Sequence, residues 1–312
     1  MMFDIVGKRF RFFLISGVVI LIGIISLATF GIRYSIEFSP GSMMTAIFEQ
    51  EVSQSELTRE LNSLGYTNAI VQRILTGEGG FLIRTRVLIG EEKVDLKEAL
   101  AARFGEFEEE GFRGVDPMVA GETRTIAAIA VAAAVVGMLL YITWAFRRMP
   151  KPLRYGTCAV VALGHDVLVV LGIFSIMGGM LGWEVNLMFI IGILAVIGYS
   201  INNTVVIFDR IRENLPKAEG STFEMVINKS LVETLSRSLN TSLTTLFVVL
   251  ALLFFVGASI QNFAVVLLIG IIAGTYSSLC IAPQLLIVWE KKEWGRFVRW
   301  LPFTIVKEKV GV

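Results

Sequence analysis

The side chains of this sequence that could carry chemistry lie within long apolar stretches. Asp166 follows the single histidine, His165, eleven residues into the stretch 155–178. If that stretch is a membrane helix, the helical rise places the carboxyl about 16 Å from its start, near mid-membrane. An ionisable group there costs at least ~2.5 to 3.5 kcal/mol. Two interpretations are open: a titrating carboxylate on an ion path, and a buried acid satisfied by hydroxyls or a cation of a neighbouring helix.

A second polar patch interrupts the next apolar stretch, 185–208. Its polar side chains are Tyr199, Ser200, Asn202 and Asn203. Several unsatisfied polar groups facing lipid would cost several kcal/mol in total. We therefore expect a second helix bundle to cover this face.

A third patch opens the stretch 235–256, where Arg237 and Thr241 are four residues apart and share a helix face. The helical rise puts Asn203 about 7 to 8 Å and Thr241 about 9 Å inside the membrane, so we predict that they face each other with Asp166 nearby. Amides and hydroxyls alone are better explained as interhelical hydrogen bonds, worth about 0.6 to 2 kcal/mol each. Arg237 needs an anion, for which Asp166 is the candidate, or else it extends to the membrane surface.

The composition shows what kind of molecule holds these patches. Of the 312 residues 54% are apolar and 18% charged, with a mean hydropathy of +0.71, which excludes an ordinary soluble domain. Residues 34–122 hold 16 of the 27 acidic and 8 of the 28 basic side chains, and the other cations lie between apolar runs. A nucleic-acid partner, which needs a folded basic patch, is therefore not expected.

The chain also lacks the sequence features of an enzyme or a metalloprotein. Its two cysteines, Cys158 and Cys280, lie inside apolar runs. They predict neither a disulfide framework nor a metal site. No phosphate-binding motif or nucleophile appears outside the apolar runs, so we expect no cofactor and no catalytic activity.

Six apolar stretches are long enough to cross a bilayer as helices. They are Phe12 to Phe30, Ile126 to Phe146, Tyr155 to Gly178, Val185 to Phe208, Leu235 to Val256 and Phe263 to Trp289. No small-residue cleavage site follows the first, which indicates an anchor rather than a removed signal peptide. Lys and Arg cluster at alternate ends of the spans, which predicts a multi-pass membrane protein with both termini in the cytoplasm.

The acidic region 34–122 is then exported as a small domain of its own. Periodicity and turn residues predict strands at 43–48, 69–75, 81–88 and 107–115, with helices at 53–64 and 91–104 and a glycine turn at 77–80. The order βαββαβ is that of a ferredoxin-like split βαβ unit. Without a catalytic constellation, this domain is expected to be a contact surface.

The predicted organisation has four parts. They are the N-terminus and first span (1–33), the exported domain (34–122), spans two to six (123–290) and a basic cytoplasmic tail (291–312). Within the third part, 209–234 is predicted to be a cytoplasmic amphipathic segment whose helix, 222–234, lies at the membrane surface. The fold class is an α-helical membrane protein with one exported α+β domain.

The run from Gly198 to Asn214, GYSINNTVVIFDRIREN, resembles the signature of the SecF family of bacterial protein-export subunits. Asp209 and Arg210 belong to this run and support the match. Other segments agree in order, namely 35–38, 165–167, 236–245 and 274–278. The resemblance implies an RND-like half-transporter of six helices in the bacterial cytoplasmic membrane that uses the proton-motive force to promote late stages of polypeptide export. It implies as partners a second six-helix subunit, SecD, the SecYEG channel, a YajC-like small membrane subunit and the exported client.

Position 203 departs from the family pattern. The resemblance implies an aspartate after Asn202, as the carboxylate that binds the coupling ion, but this sequence has Asn203. An amide cannot take up and release a proton near neutral pH. Three explanations are open. The first, which we favour because the two side chains are isosteric, is a deliberate exchange of the aspartate for an asparagine that imitates the protonated acid. The second is that carboxylates of the partner subunit bind the ion, and the third is that Asp166 is the titrating group.

Two other functions are kept beside the proton-coupled export subunit. One is an RND-type exporter of small molecules or lipids, which would need a larger exported domain with an apolar pocket. The other is a structural membrane subunit without ion chemistry. Asn203 favours the structural subunit, whereas Asp166 and Arg237 argue against it.

Overall fold

A computed structural model describes residues 4–67, 69–74, 80–218, 220–255 and 258–295. In chain order the elements are α1 (Arg9–Thr29), β1 (Gly41–Phe48), α2 (Gln54–Ser63), β2 (Ile70–Ile74), β3 (Gly80–Thr85), α3 (Glu92–Phe104), β4 (Phe107–Val115), α4 (Pro117–Ala145), α5 (Pro152–Leu181), α6 (Leu187–Asn214), α7 (Phe223–Phe255), α8 (Ala258–Cys280) and α9 (Ala282–Lys291). They form two compact units, one of residues 34–129 and one of the chain on either side. Most of the glycine turn predicted at 77–80 and most of the basic tail lie outside the described residues.

Six helices in the described part of the chain are long and apolar enough to cross a membrane, which confirms the predicted number. They are α1, α4, α5, α6, α7 and the pair α8 and α9. Of these, α4 is the least buried and exposes Leu140, Tyr141 and Trp144. An apolar face of this kind must be covered by lipid or by another protein.

Two predicted boundaries are wrong because helices run further than the apolar stretches. Helix α6 continues past Phe208 to Asn214, and the segment predicted as a separate surface helix, 222–234, is the first part of the continuous α7. No glycine or proline interrupts 222–255, so nothing in the backbone ends the helix there. The last span, predicted as one helix, instead breaks at Ile281, two residues before Pro283, which lacks the amide N–H that a helix interior requires.

The unit 34–129 contains a four-stranded antiparallel sheet with the order β2-β3-β1-β4, and its elements follow the predicted order βαββαβ. One face of the sheet packs against α2 and α3 through a core that includes Met44, Phe48, Leu57 and Leu100. Ser53 caps α2, since its hydroxyl accepts from the backbone amide of Glu56 at 3.2 Å.

Two carboxylates of this unit are held by cations. Glu92 forms two hydrogen bonds of 2.8 and 2.7 Å with the guanidinium of Arg86, which lowers the pKa of Glu92 to about 2. Glu109 lies 2.7 Å from the ammonium groups of both Lys93 and Lys97, which lower its pKa as well. These contacts connect the two ends of the loop before α3 and join α3 to β4.

Small residues let the membrane helices approach closely. Where α1 crosses α5, a Cβ built on Gly172 would lie 2.7 Å from the Cα of Gly23. One turn further along, the hydroxyl of Ser26 donates to that of Ser175 at 2.9 Å. This contact fixes α1 against α5, the helix that carries the buried carboxyl.

Candidate functional site

We call the unit that lies on either side of residues 34–129 in the chain the membrane unit. Asp166 is fully enclosed within it, with 0% of its surface exposed. The hydroxyls of Ser200 on α6 and Ser277 on α8 both donate to its Oδ2, at 2.6 and 2.8 Å. Its Oδ1 lies 3.0 Å from Nδ1 of His165, the preceding residue on α5. A single carboxyl therefore joins three membrane helices.

Local sequence explains how α8 reaches this carboxyl. Gly274 lies one turn before Ser277, and a Cβ at Gly274 would be 3.0 Å from Cβ of Ser200. Without a side chain at 274, α8 can lie close enough to α6 for Ser200 and Ser277 to reach the same oxygen. Ser277 thus contributes a hydrogen bond to the acid, in the segment 274–278 that the sequence marked only as part of the family resemblance.

A second cluster of polar side chains is centred on Ser242 of α7. Its hydroxyl oxygen lies 2.6 Å from Oγ1 of Thr275, 3.1 Å from the hydroxyl of Tyr199 and 3.4 Å from Nδ2 of Asn203. Asn203 is 4% exposed. Position 203 is therefore a buried site where α6, α7 and α8 meet, formed by hydroxyl and amide groups.

Arg237 and Thr241 do not take part in this cluster. Both lie on the exposed face of α7, where Thr241 Oγ1 donates to the backbone oxygen of Arg237 at 2.9 Å. The predicted facing of Asn203 with these two residues and the predicted pairing of Arg237 with Asp166 are both absent from the described contacts. The reason is helix phase: Ser238 and Ser242, one position further along the chain, occupy the buried face of α7.

The polar face predicted to need an external cover is mostly satisfied within the chain. Ser200 and Asn203 are buried, and Tyr199 is half-buried with its hydroxyl bonded. Asn202 is the exposed member of the four, and it borders a cavity of about 570 Å³ between α6 and α4. The side chain that still faces outward on this patch is therefore a single amide.

The charged end of the signature run fastens α6 to α7. Arg210 lies 2.6 Å from Glu213 on its own helix and 2.7 Å from Glu233 on α7. Asp209 pairs with Arg212 at 2.7 Å. These contacts give Asp209 and Arg210 a structural role at the ends of the helices.

Three groups near the acid were not singled out from the sequence as a site: Ser242, Tyr276 and Ser277. The ring of Tyr276 stacks on that of His165 with centroids 6.0 Å apart, and its hydroxyl donates to the backbone oxygen of Phe12 on α1 at 2.8 Å. Their signal in the sequence is the recurrence of hydroxyls four residues apart or adjacent within otherwise apolar helices, as at 238, 242 and 275–278.

With this geometry established, comparison with known proteins identifies the family. Residues 95–292 match the family described as "Protein export membrane protein SecD/SecF, C-terminal". The protein translocase subunit SecF of Thermobaculum terrenum is 42% identical over 308 residues, covering 96% of this chain and 97% of that protein. The chain belongs to the SecF family of protein translocase subunits.

Two further relatives carry a SecF-like region within a longer protein. The protein translocase subunit SecDF of Bacillus subtilis is 33% identical over 296 residues, covering 93% of this chain and 38% of that protein. The crystal structure of SecDF from Thermus thermophilus, a translocon-associated membrane protein, superposes with a TM-score of 0.81 at 30% identity. It covers 93% of this chain, and this chain spans 39% of that one.

Proposed function

We propose that this protein translocase subunit is proton-coupled and that Asp166 is the group that binds the proton. Of the membrane residues described, Asp166 is the carboxyl fully enclosed between helices. Its oxygens are held by polar groups of α5, α6 and α8, so a change in its charge acts on the contacts of all three helices. This three-helix contact is the observation that carries the proposal.

The energy available fits a conformational role. Moving one elementary charge across the membrane yields about 2.3 kcal/mol per 100 mV. Protonation of Asp166 would weaken the two charge-assisted hydrogen bonds to Oδ2, since bonds to an ionised acceptor are about twice as strong as neutral ones. Binding of a proton would thereby weaken the contacts that hold α5, α6 and α8 together at this carboxyl.

The exposed polar groups of the membrane unit support contact with a second membrane subunit. Arg237 and Thr241 on α7, with Asn202 on α6, would face lipid in an isolated chain. An arginine in that position is stabilised by an anion, a carbonyl or water. Because Bacillus subtilis SecDF joins a SecF-like region to further sequence, we assign this face to SecD, and we count the SecYEG channel, a YajC-like subunit and the client polypeptide as further partners.

The orientation follows from the charges near the helix ends. Lys8 precedes α1, and Arg9 and Arg11 lie in its first turn, which supports a cytoplasmic N-terminus. Six spans then return the C-terminus to the same side. The unit with the β2-β3-β1-β4 sheet is then the exported domain. Its strand order and two helices support a ferredoxin-like fold for this domain.

The test uses inverted membrane vesicles from cells in which this chain is the only SecF-type subunit. Export of a reporter is measured with and without an uncoupler for Asp166→Asn, and for Asp95→Asn as a control, because Asp95 is an exposed carboxyl of α3. We expect Asp166→Asn to assemble and to export at the rate of uncoupled wild-type vesicles, with no further effect of the uncoupler. Wild-type rate and uncoupler sensitivity in Asp166→Asn would remove Asp166 from the coupling mechanism.

Asn203 supports a second candidate, a structural subunit without ion chemistry. Its amide occupies the buried centre of the α6–α7–α8 cluster, at the position where the sequence resemblance implies an aspartate. In that case the ion binds in the partner subunit. The same vesicle experiment separates the two, since a structural subunit would keep uncoupler-sensitive export when Asp166 is replaced.

A further inference from the structure

We infer that His165 is the group through which Asp166 gains and loses its proton. This inference rests on the proposed function, because it needs Asp166 to titrate. It adds a proton-carrying residue that neither the SecF match nor the signature run specifies. The imidazole belongs to α5, next to the acid in sequence and in contact with it through one nitrogen.

The two carboxylate oxygens of Asp166 have different surroundings. Oδ2 accepts two hydroxyl protons, from Ser200 at 2.6 Å and Ser277 at 2.8 Å. Two such donors occupy both lone pairs of that oxygen, which leaves no room there for a further proton. We therefore place the proton on Oδ1, where the described partner is Nδ1 of His165 at 3.0 Å.

His165 also lies between the acid and open space. Asp166 is 0% exposed, whereas His165 is 7% exposed and borders a cavity of about 350 Å³ between α1, α5 and α8. The other groups with polar atoms around this cavity are Ser16 on α1 and Tyr276 on α8, and the remaining lining is aliphatic. The titratable groups facing the imidazole among the described residues are thus Asp166 and Tyr276.

The proton transfer balances within the pair. With Asp166 protonated at Oδ1, its O–H donates to the bare Nδ1 of a neutral imidazole that carries its proton on Nε2. Transfer of that proton to Nδ1 leaves a carboxylate and an imidazolium. Transfer of the Nε2 proton to a water molecule that enters the cavity leaves a carboxylate bonded to Nδ1–H. Uptake of a proton at Nε2, followed by transfer of the Nδ1 proton back to Oδ1, resets the site.

The experiment compares His165→Asn with Asp166→Asn in proteoliposomes that contain the full chain with its co-purified partner. An asparagine amide nitrogen takes nearly the place of Nδ1, so it keeps a hydrogen bond to Oδ1 but cannot relay a proton. We expect the gradient-driven proton flux, followed with a trapped pH-sensitive dye, to fall about a hundredfold in His165→Asn. Thr157→Ala is the control on the same helix, because its hydroxyl donates to the backbone oxygen of Leu153, outside the polar network around Asp166, so its flux should stay within about threefold of wild type.

The outcomes separate this inference from the proposed function. Wild-type flux in His165→Asn together with loss in Asp166→Asn overturns the role of His165 alone. Wild-type flux in both variants overturns the proposed function as well. A flux in Thr157→Ala as low as in His165→Asn would assign the loss to general disturbance of the helix and would also overturn the role of His165.

A measurement on the unmodified protein tests the role of His165 even where the variants do not assemble. His165 is the single histidine of the chain, so ring labelling with ¹⁵N gives one pair of imidazole resonances. We expect these resonances to report a change of tautomer or charge at the pH where Asp166 titrates. Resonances that stay constant through that titration would show that the proton reaches Asp166 by another route.

Discussion

The packing of α1 on α5 depends on two facing glycines, and the variant Gly172→Ala tests it. A Cβ at 172 would lie 2.7 Å from the Cα of Gly23, whereas nonbonded carbons prefer separations of about 3.5 to 4.0 Å. Because the obstacle is backbone, α1 must retreat by about 1 Å. The bond between Ser26 and Ser175, now 2.9 Å, would then exceed hydrogen-bonding distance.

The size of the effect follows from these two losses. Overpacking of this kind costs about 1 to 3 kcal/mol, and an interhelical hydrogen bond in a membrane is worth about 0.6 kcal/mol on average. Gly164→Ala is the matched control on the same helix, because a Cβ at 164 meets no atom within 4 Å. Both variants gain the same helix propensity, so their free energies of unfolding should differ by about 2 to 4 kcal/mol.

The assay is equilibrium unfolding of the purified full chain in mild detergent titrated with dodecyl sulfate, followed by circular dichroism. We expect Gly164→Ala to match or slightly exceed the wild type and Gly172→Ala to unfold at a lower denaturant fraction. If the two variants agree within about 0.5 kcal/mol, the helices do not cross at these glycines and the close approach is refuted.

Three further predictions concern coupling, pH and topology. Asn203→Asp places a carboxylate among buried hydroxyls, so it should raise the uncoupler sensitivity of reporter export in inverted vesicles; unchanged sensitivity with export intact would mean that the polar cluster only joins helices. Because the folded pKa of Glu92 is about 2 and its ordinary value is 4.5, the stability that Arg86 confers is present above pH 4.5 and lost as the pH falls towards 2. The amide protection factors of the sheet unit, in which the intrinsic exchange rate is divided out, should therefore fall over that range in the wild type and less steeply in Arg86→Gln; equal profiles would contradict the pairing. An impermeant thiol reagent added outside intact cells should label Ser63→Cys but not Lys217→Cys, and the reverse pattern would invert the orientation.

Much of the fold could be predicted from the sequence because it depends on local patterns. The six spans follow from the length of the apolar stretches, and β4 was predicted at its observed bounds, 107–115, from strand periodicity. The ends of α6 and α7 could not be predicted from hydropathy, since polar residues continue a helix wherever no breaker stops them. The break at Ile281 could not be predicted either, because a proline such as Pro283 can lie in the first turn of a new helix or kink a continuous one.

The site was only partly predictable. The cost of a carboxyl in the membrane singled out Asp166, and that reasoning needs no tertiary information. Its partners depend on helix rotation, which differs by 100° between neighbouring positions, so Ser242 rather than Thr241 meets Asn203. The contribution of Ser277 depends in addition on the close approach that Gly274 allows between α6 and α8.

Direct observation of the proton on Asp166 tests the central claim most directly. Infrared difference spectra of the purified full chain, recorded between acidic and alkaline pH, reveal the carbonyl stretch of a protonated carboxyl in an apolar environment. We predict such a band in the wild type, a shift of that band in D₂O, and its loss in Asp166→Asn but not in Asp95→Asn. A spectrum in which Asp166→Asn retains the band, or in which the wild type shows none, would contradict the assignment of Asp166 as the proton-binding group.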